Sequence, residues 1–90
     1  MPKFLPVPRI LSEEFYGFLG LAAADPEFPS TFDEWIAHSN AKRRSFEDAN
    51  RATRALTVHP SEFEEWCRRH EVAPSLQTLE MFTVSKANAE

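Results

Sequence analysis

Cys67 and His70 are the residues whose types and spacing come nearest to chemistry. Three apart, they share a helix face. A Cys–His pair of that kind makes a thiolate nucleophile, or half of a zinc site. A structural zinc needs two further ligands, and His38 and His59 fall in other segments with no ligand spacing. Nucleophilic catalysis also needs an orienting third group and an oxyanion site, and no pattern supplies them. The plainer reading is a small core thiol beside a cation favoured by the negative end of a helix dipole.

Two carboxylate pairs, Asp33-Glu34 and Glu64-Glu65, have the composition of an acid–base dyad. General acid–base work requires a carboxyl in a cleft with a displaced pKa. These four occupy first helical turns, where free N–H groups and the dipole stabilise anions. Capping accounts for them without catalysis. The only glycines, Gly17 and Gly20, lie inside a helical pattern, so a glycine-rich phosphate loop is excluded. No catalytic residue, metal or cofactor is expected.

The elements that would position these groups begin with a repeat. Pro29-Ser30-Thr31-Phe32-Asp33-Glu34-Trp35 returns as Pro60-Ser61-Glu62-Phe63-Glu64-Glu65-Trp66, 31 residues later. Each copy reads as a helix start, with Ser30 or Ser61 as cap and an acidic residue three positions on. Phe and Trp then fall three apart on one face. The copies predict two similar helices sharing an aromatic core. Ser12 opens another helix running to about Ala24, and Gly17 and Gly20 allow close approach of a neighbour. The first motif helix carries Phe32, Trp35 and Ile36 inward, with a kink expected at Ser39-Asn40. Ser75 caps a last helix built on Leu76, Leu79 and Phe82.

Leu56 and Val58 alternate with Ala55 and Thr57, the period of a short strand at 55–58. Its one obvious partner in the chain is the N-terminal segment, which Pro2, Pro6 and Pro8 restrict to an extended arm or an edge strand. The fold class expected is therefore mainly α. One domain covers 1–90, with an extended arm at 1–10, a helical body of about four short helices at 11–84 and a frayed tail at 85–90. The stretch from Leu56 to Cys67 is similar to passages in small bacterial proteins and points to no family.

Ninety residues bury about 60–65% of the unfolded surface, so one core is feasible. Eight Phe and two Trp make that core aromatic. The net charge of −4 disfavours non-specific nucleic-acid binding. The charge is uneven. Residues 41–54 set Lys42, Arg43, Arg44, Arg51 and Arg54 against Glu47 and Asp48, leaving +3 there and −7 elsewhere. That stretch is the candidate interaction surface. A single cysteine forms no internal disulfide and suits a reducing compartment. The apolar run from Phe15 to Ala24 is too short to span a bilayer and has acidic flanks.

The functional expectation is a small soluble, cytoplasmic, non-catalytic bacterial domain for protein–protein interaction or an accessory role. Its partner is another protein or a second copy, giving a possible homodimer, with no membrane. Nucleic acid is the less favoured partner. The alternative is a small DNA-binding regulator using a helix-turn-helix at residues 63–82. Against it, the last helix offers Gln77, Thr78 and Glu80 with a single cation, Lys86, and the turn carries Glu71 where Gly is usual.

Overall fold

The computed structural model describes residues 4–89. Residues 1–3 of the expected arm, Pro2 among them, and Glu90 of the expected tail lie outside the described residues. Strand β1 spans Phe4–Ile10 and strand β2 spans Ala52–Val58. They form a two-stranded parallel sheet, in register from Phe4↔Ala52 to Ile10↔Val58. The strand expected at 55–58 thus starts three residues earlier and pairs within the chain.

Alternate residues of a parallel strand turn their N–H and C=O toward the partner. Pro6 and Pro8 have no N–H to donate, so the ladder runs through Leu5, Val7 and Arg9. The prolines then face the outer edge of β1, where their missing donors cost nothing.

A parallel pair needs a long crossover. Here it contains a 3-10 turn at Ser12–Glu14, helix α1 at Phe15–Leu21 and helix α2 at Phe32–Asp48. Helices α3 at Pro60–Arg69 and α4 at Leu76–Ala89 follow β2. The mainly α expectation fits: four helices and one small sheet. The helix expected from Ser12 to Ala24 is shorter, because Leu11 O accepts Glu14 N in a tighter turn and the two glycines weaken propagation.

The two motif copies start their helices in different frames. In the first, Thr31, not Ser30, is the cap: its Oγ1 accepts Glu34 N at 3.1 Å, and Glu34 Oε2 accepts Ser30 N at 3.0 Å. In the second, Glu62 stands where Thr31 stood, so no hydroxyl occupies the capping position. The helix instead begins at Pro60, whose fixed φ suits a first helical residue. Ser61 is therefore inside α3 and caps nothing, against expectation. Glu62 Oε2 reaches back to His59 N at 2.9 Å. Ser75 does cap as expected: its Oγ accepts Thr78 N at 3.1 Å.

Helix α2 passes through Ser39-Asn40 without a break. It ends where Asn50 takes φ 61°, with Arg51 N donating to Phe46 O and Asn50 N to Glu47 O. This is a Schellman stop. Helix α3 ends the same way: Glu71 takes φ 55°, with Val72 N on Cys67 O and Glu71 N on Arg68 O. Helix α4 continues over 85–89, where a frayed tail is expected.

One buried cluster joins the elements, and α1 stands at its centre. Phe15 and Phe18 are both fully buried. Phe15 lies 6.2 Å from Phe28, which stacks on Trp35, and 5.8 Å from Phe32. Phe18 lies 5.8 Å from Phe63, which meets Phe82, which in turn meets Trp66. Trp35 and Phe63 are buried, while Phe32 and Trp66 are half-buried against the same cluster. Ile36, expected to face inward, is 40% exposed.

Gly17 brings α1 against the start of α3. A Cβ there would lie 2.9 Å from Pro60 Cγ and 3.2 Å from its Cβ, whereas a Cβ on Gly20 meets nothing within 4 Å. Gly20→Ala is expected to stabilise by roughly 0.5–1 kcal/mol through helix propensity. Gly17→Ala gains the same term but meets a rigid ring, and overpacking of that kind costs about 1–3 kcal/mol. A net loss is expected in urea unfolding. Equal gains from both substitutions would show that α1 and α3 are not held at this distance. Glu71→Gly relieves a left-handed backbone and should add about 0.5–1 kcal/mol in the same assay. No gain would show that the φ of 55° carries no strain.

Candidate functional site

The basic stretch spans the second half of α2, the Schellman turn and β2. Its five cations have different surroundings. Lys42 is half-buried and forms a salt bridge with Glu80 of α4, so it serves as a tie between helices. Arg54 is exposed, with its guanidinium 5.3 Å from the centre of the Phe4 ring. Arg43, Arg44 and Arg51 are exposed and, among the described residues, make no salt bridge. The structure thus leaves four of the five at the surface and withdraws Lys42.

Arg43 lines an open groove of about 460 Å³ between β1 and α2. Val7, Ile10, Phe32, Trp35 and Ile36 supply apolar walls, Ala55 of β2 reaches into the lining, and Arg9 adds a second guanidinium. Glu13 is a carboxylate on the same lining. Arg9 was not singled out in the sequence, because it stands alone among prolines and only the parallel pairing brings β1 beside α2.

The Cys–His pair does not assemble. Cys67 is buried in the core, whereas His70 sits at the exposed end of α3 with its ring centre 4.4 Å from that of Trp66. Burial pushes the Cys67 thiol above its ordinary pKa, partly offset by a hydrogen bond with the Thr78 side chain. The net rise opposes a thiolate at neutral pH. Among the described residues no three His, Cys, Asp or Glu side chains converge as a metal site requires.

The carboxylate pairs do not form a dyad either. Glu34 caps α2, Glu65 pairs with Arg69 one turn on at 3.1 Å, and Asp33 and Glu64 are exposed. Glu62 is better connected than any of these four. Besides accepting from His59 N, it accepts from Lys86 Nζ at 2.6 Å, and Lys86 also donates to Thr57 O at 2.9 Å. Nearby, His59 Nδ1 lies 2.7 Å from Glu14 Oε1. Lys86, the one cation of the supposed recognition helix, is therefore engaged inside the fold.

No family model matches this chain, and no curated protein or solved structure matches it either. The class is set by architecture alone: a mainly α domain on a two-stranded parallel sheet, with an arginine-bearing groove between β1 and α2. No helix among the described residues is long and apolar enough to cross a membrane.

Cys67 should react slowly with thiol reagents. Both burial and the raised pKa disfavour attack by the folded protein, so labelling must pass through opening. Protection of about 100-fold or more relative to the urea-unfolded chain is expected, the factor set by an opening free energy of roughly 3 kcal/mol. Folded-state labelling at neutral pH as fast as that of the unfolded chain would return the thiol to the list of reactive groups.

Proposed function

We propose that the protein works by contact and not by turnover, as a small protein–protein interaction or accessory domain. Its contact surface is the arginine side of α2 and β2. The carrying observation is the division of cations. Lys42 and Lys86 are spent on salt bridges between elements, and Arg69 pairs with Glu65 on the surface of its own helix, while Arg9, Arg43, Arg44, Arg51 and Arg54 stand exposed with no salt bridge among the described residues. Arg68, exposed and equally without a salt bridge, lies apart on α3. Five such guanidiniums on a chain of net −4 form a local positive field that favours an acidic protein surface. Arginine suits this role, because its planar fork pairs with carboxylates in two-point fashion. The partly exposed Ile36 and the apolar groove wall beside Arg43 add area that a charge patch alone lacks. A second copy of the chain, itself net acidic, is one partner of the right sign.

The α3–α4 corner supports the DNA-binding alternative less well. Its outward residues on α4 include Gln77, Met81, Val84 and Asn88, and Lys86 is held by Glu62 and Thr57. Phosphate contacts dominate affinity for DNA, and this helix presents none that are free.

The test is a charge reversal. Arg43→Glu with Arg44→Glu should preserve the fold and weaken association with a co-purifying partner, or self-association, by about tenfold or more at low salt. The effect should shrink as salt rises, since exposed charges are screened over about 8 Å at physiological ionic strength. Arg68→Glu on the exposed face of α3 is the control. Light scattering and quantitative pull-down read the outcome. Unchanged association in the double variant removes this surface from the reading. Duplex-DNA binding tighter than about 1 μM at physiological salt would favour the regulator instead.

A further inference from the structure

The two edges of the sheet are not alike. Pro6 and Pro8 put the ladder of β1 on its odd residues, so β1 turns its prolines outward and offers few donors there. By the same register, Arg54 and Leu56 of β2 face β1. Thr53, Ala55 and Thr57 then turn their N–H and C=O away from it. The contact of Lys86 with Thr57 O agrees, because that carbonyl is reached from outside the sheet. Among the described residues no hydrogen bond reaches the outward backbone groups of Thr53 or Ala55. Ala52, Arg54 and Ala55 are exposed. Native sheets usually blunt such an edge, and here only β1 is blunted.

We propose that β2 is a docking edge that takes an extended acidic segment of a partner protein as a third strand. This rests on the reading that the protein works by contact, and it gives that contact a geometry. The backbone groups of Thr53 and Ala55 would pair with the incoming strand. Lys86 on Thr57 O marks where pairing stops. Charge selects the occupant on both faces. Arg54, beside Phe4, projects from one face, while Arg43 shares the groove on the other face with Ala55. Arg51 stands at the entrance of the strand. One carboxylate also stands at this edge, where Glu47 Oε2 accepts from the Thr53 hydroxyl at 3.4 Å. An incoming strand with carboxylates at successive positions meets an arginine on either side. A second copy docking by its own β2 would instead bring Arg51 and Arg54 of two chains together, which like-charge repulsion disfavours.

The probe is a short capped peptide in which glutamate pairs alternate with valine pairs, so that both of its faces carry carboxylates, followed by amide chemical shifts of the intact protein. Saturable shifts at Thr53 and Ala55 are expected, with no binding of the lysine–valine or the fully N-methylated peptide. Ala55→Pro removes an outward donor, as Pro6 and Pro8 do on β1, and should weaken binding about fivefold or more. Arg54→Glu should weaken the acidic peptide and favour the basic one. In the free protein the amides of Thr53 and Ala55 should exchange about tenfold faster than those of Arg54 and Leu56. If Ala55→Pro does not fold, the N-methylated peptide and the exchange rates decide. Shifts that follow protein dilution without peptide place a second copy on the edge and overturn the proposal. So do protected Thr53 and Ala55 amides, no shift with the acidic peptide, or equal affinity for the lysine peptide. An association that is weakened by Arg43→Glu with Arg44→Glu but unaffected by Ala55→Pro rejects strand addition alone and leaves the contact reading standing.

Discussion

The fold depends on the burial of two rings from one short helix. A seven-residue helix with two glycines has almost no stability of its own. Helix α1 persists because Phe15 and Phe18 leave water completely, a transfer of about 1.5–3 kcal/mol for each ring. Three residues apart, the rings enter separate aromatic files. Phe15 gathers Phe28, Phe32 and Trp35, which belong to the crossover before β2. Phe18 gathers Phe63, Phe82 and Trp66, which belong to the helices after it. The chain halves on either side of β2 are thus joined through one turn of α1. Gly17 permits this, since only a residue without a side chain lets Pro60 approach so closely.

Polar ties then fix the ends of the elements. Asp25 shows the principle. Its Oδ1 accepts Glu27 N in a local turn, while its Oδ2 accepts Leu76 N at 2.8 Å and caps the far helix α4. At the other end of α4, Lys86 joins Glu62 and Thr57, and near its middle Glu80 meets Lys42. Helix α4 buries only Leu79, Phe82 and Thr83, and the Thr83 hydroxyl is satisfied by Leu79 O within its own turn. Apolar area alone holds it weakly, and these partly buried ties make up the difference. Charge-assisted hydrogen bonds of this kind are stronger than neutral ones.

What the sequence revealed and what it hid follow from range. Helical periodicity, the Ser75 cap, the strand alternation at Leu56 and Val58 and the edge character imposed by the prolines are local signals, and each has its counterpart in the structure. The capping frame is hidden because the two copies match in their serines. The position that matters is the next one, where Thr31 can accept a hydrogen bond as a cap and Glu62 instead reaches back from inside the helix. Asp25 carries no signal in the sequence beyond following the first helical segment, and Lys86 stands there as the single cation of the last helix, in the expected tail. Their partners lie 51 and 24 residues away, so no spacing within a helix could announce them. Lys42 looked like part of the candidate surface for the same reason. Arg43, Arg44, Arg51 and Arg54 stay on it because, among the described residues, no distant carboxylate claims them.

That selection bears on function more than the number of charges does. A basic run on a helix is ordinarily a solvated face with little energetic consequence. Here Lys42 is paired from within by Glu80 of α4, whereas Arg43, Arg44, Arg51 and Arg54 have no carboxylate partner among the described residues. The same asymmetry recurs in the sheet. β1 turns two prolines outward and is covered extensively by α4, whereas β2 leaves Thr53 and Ala55 open beside Arg54. A sequence under pressure only for solubility would blunt both edges alike. The unblunted edge carries Arg54, follows Arg51 directly and shares a groove with Arg43 through Ala55. An acidic extended segment engages both at once: its backbone meets the edge, and its carboxylates meet the arginines. A compact acidic surface meets only the charges, and a neutral strand meets only the backbone.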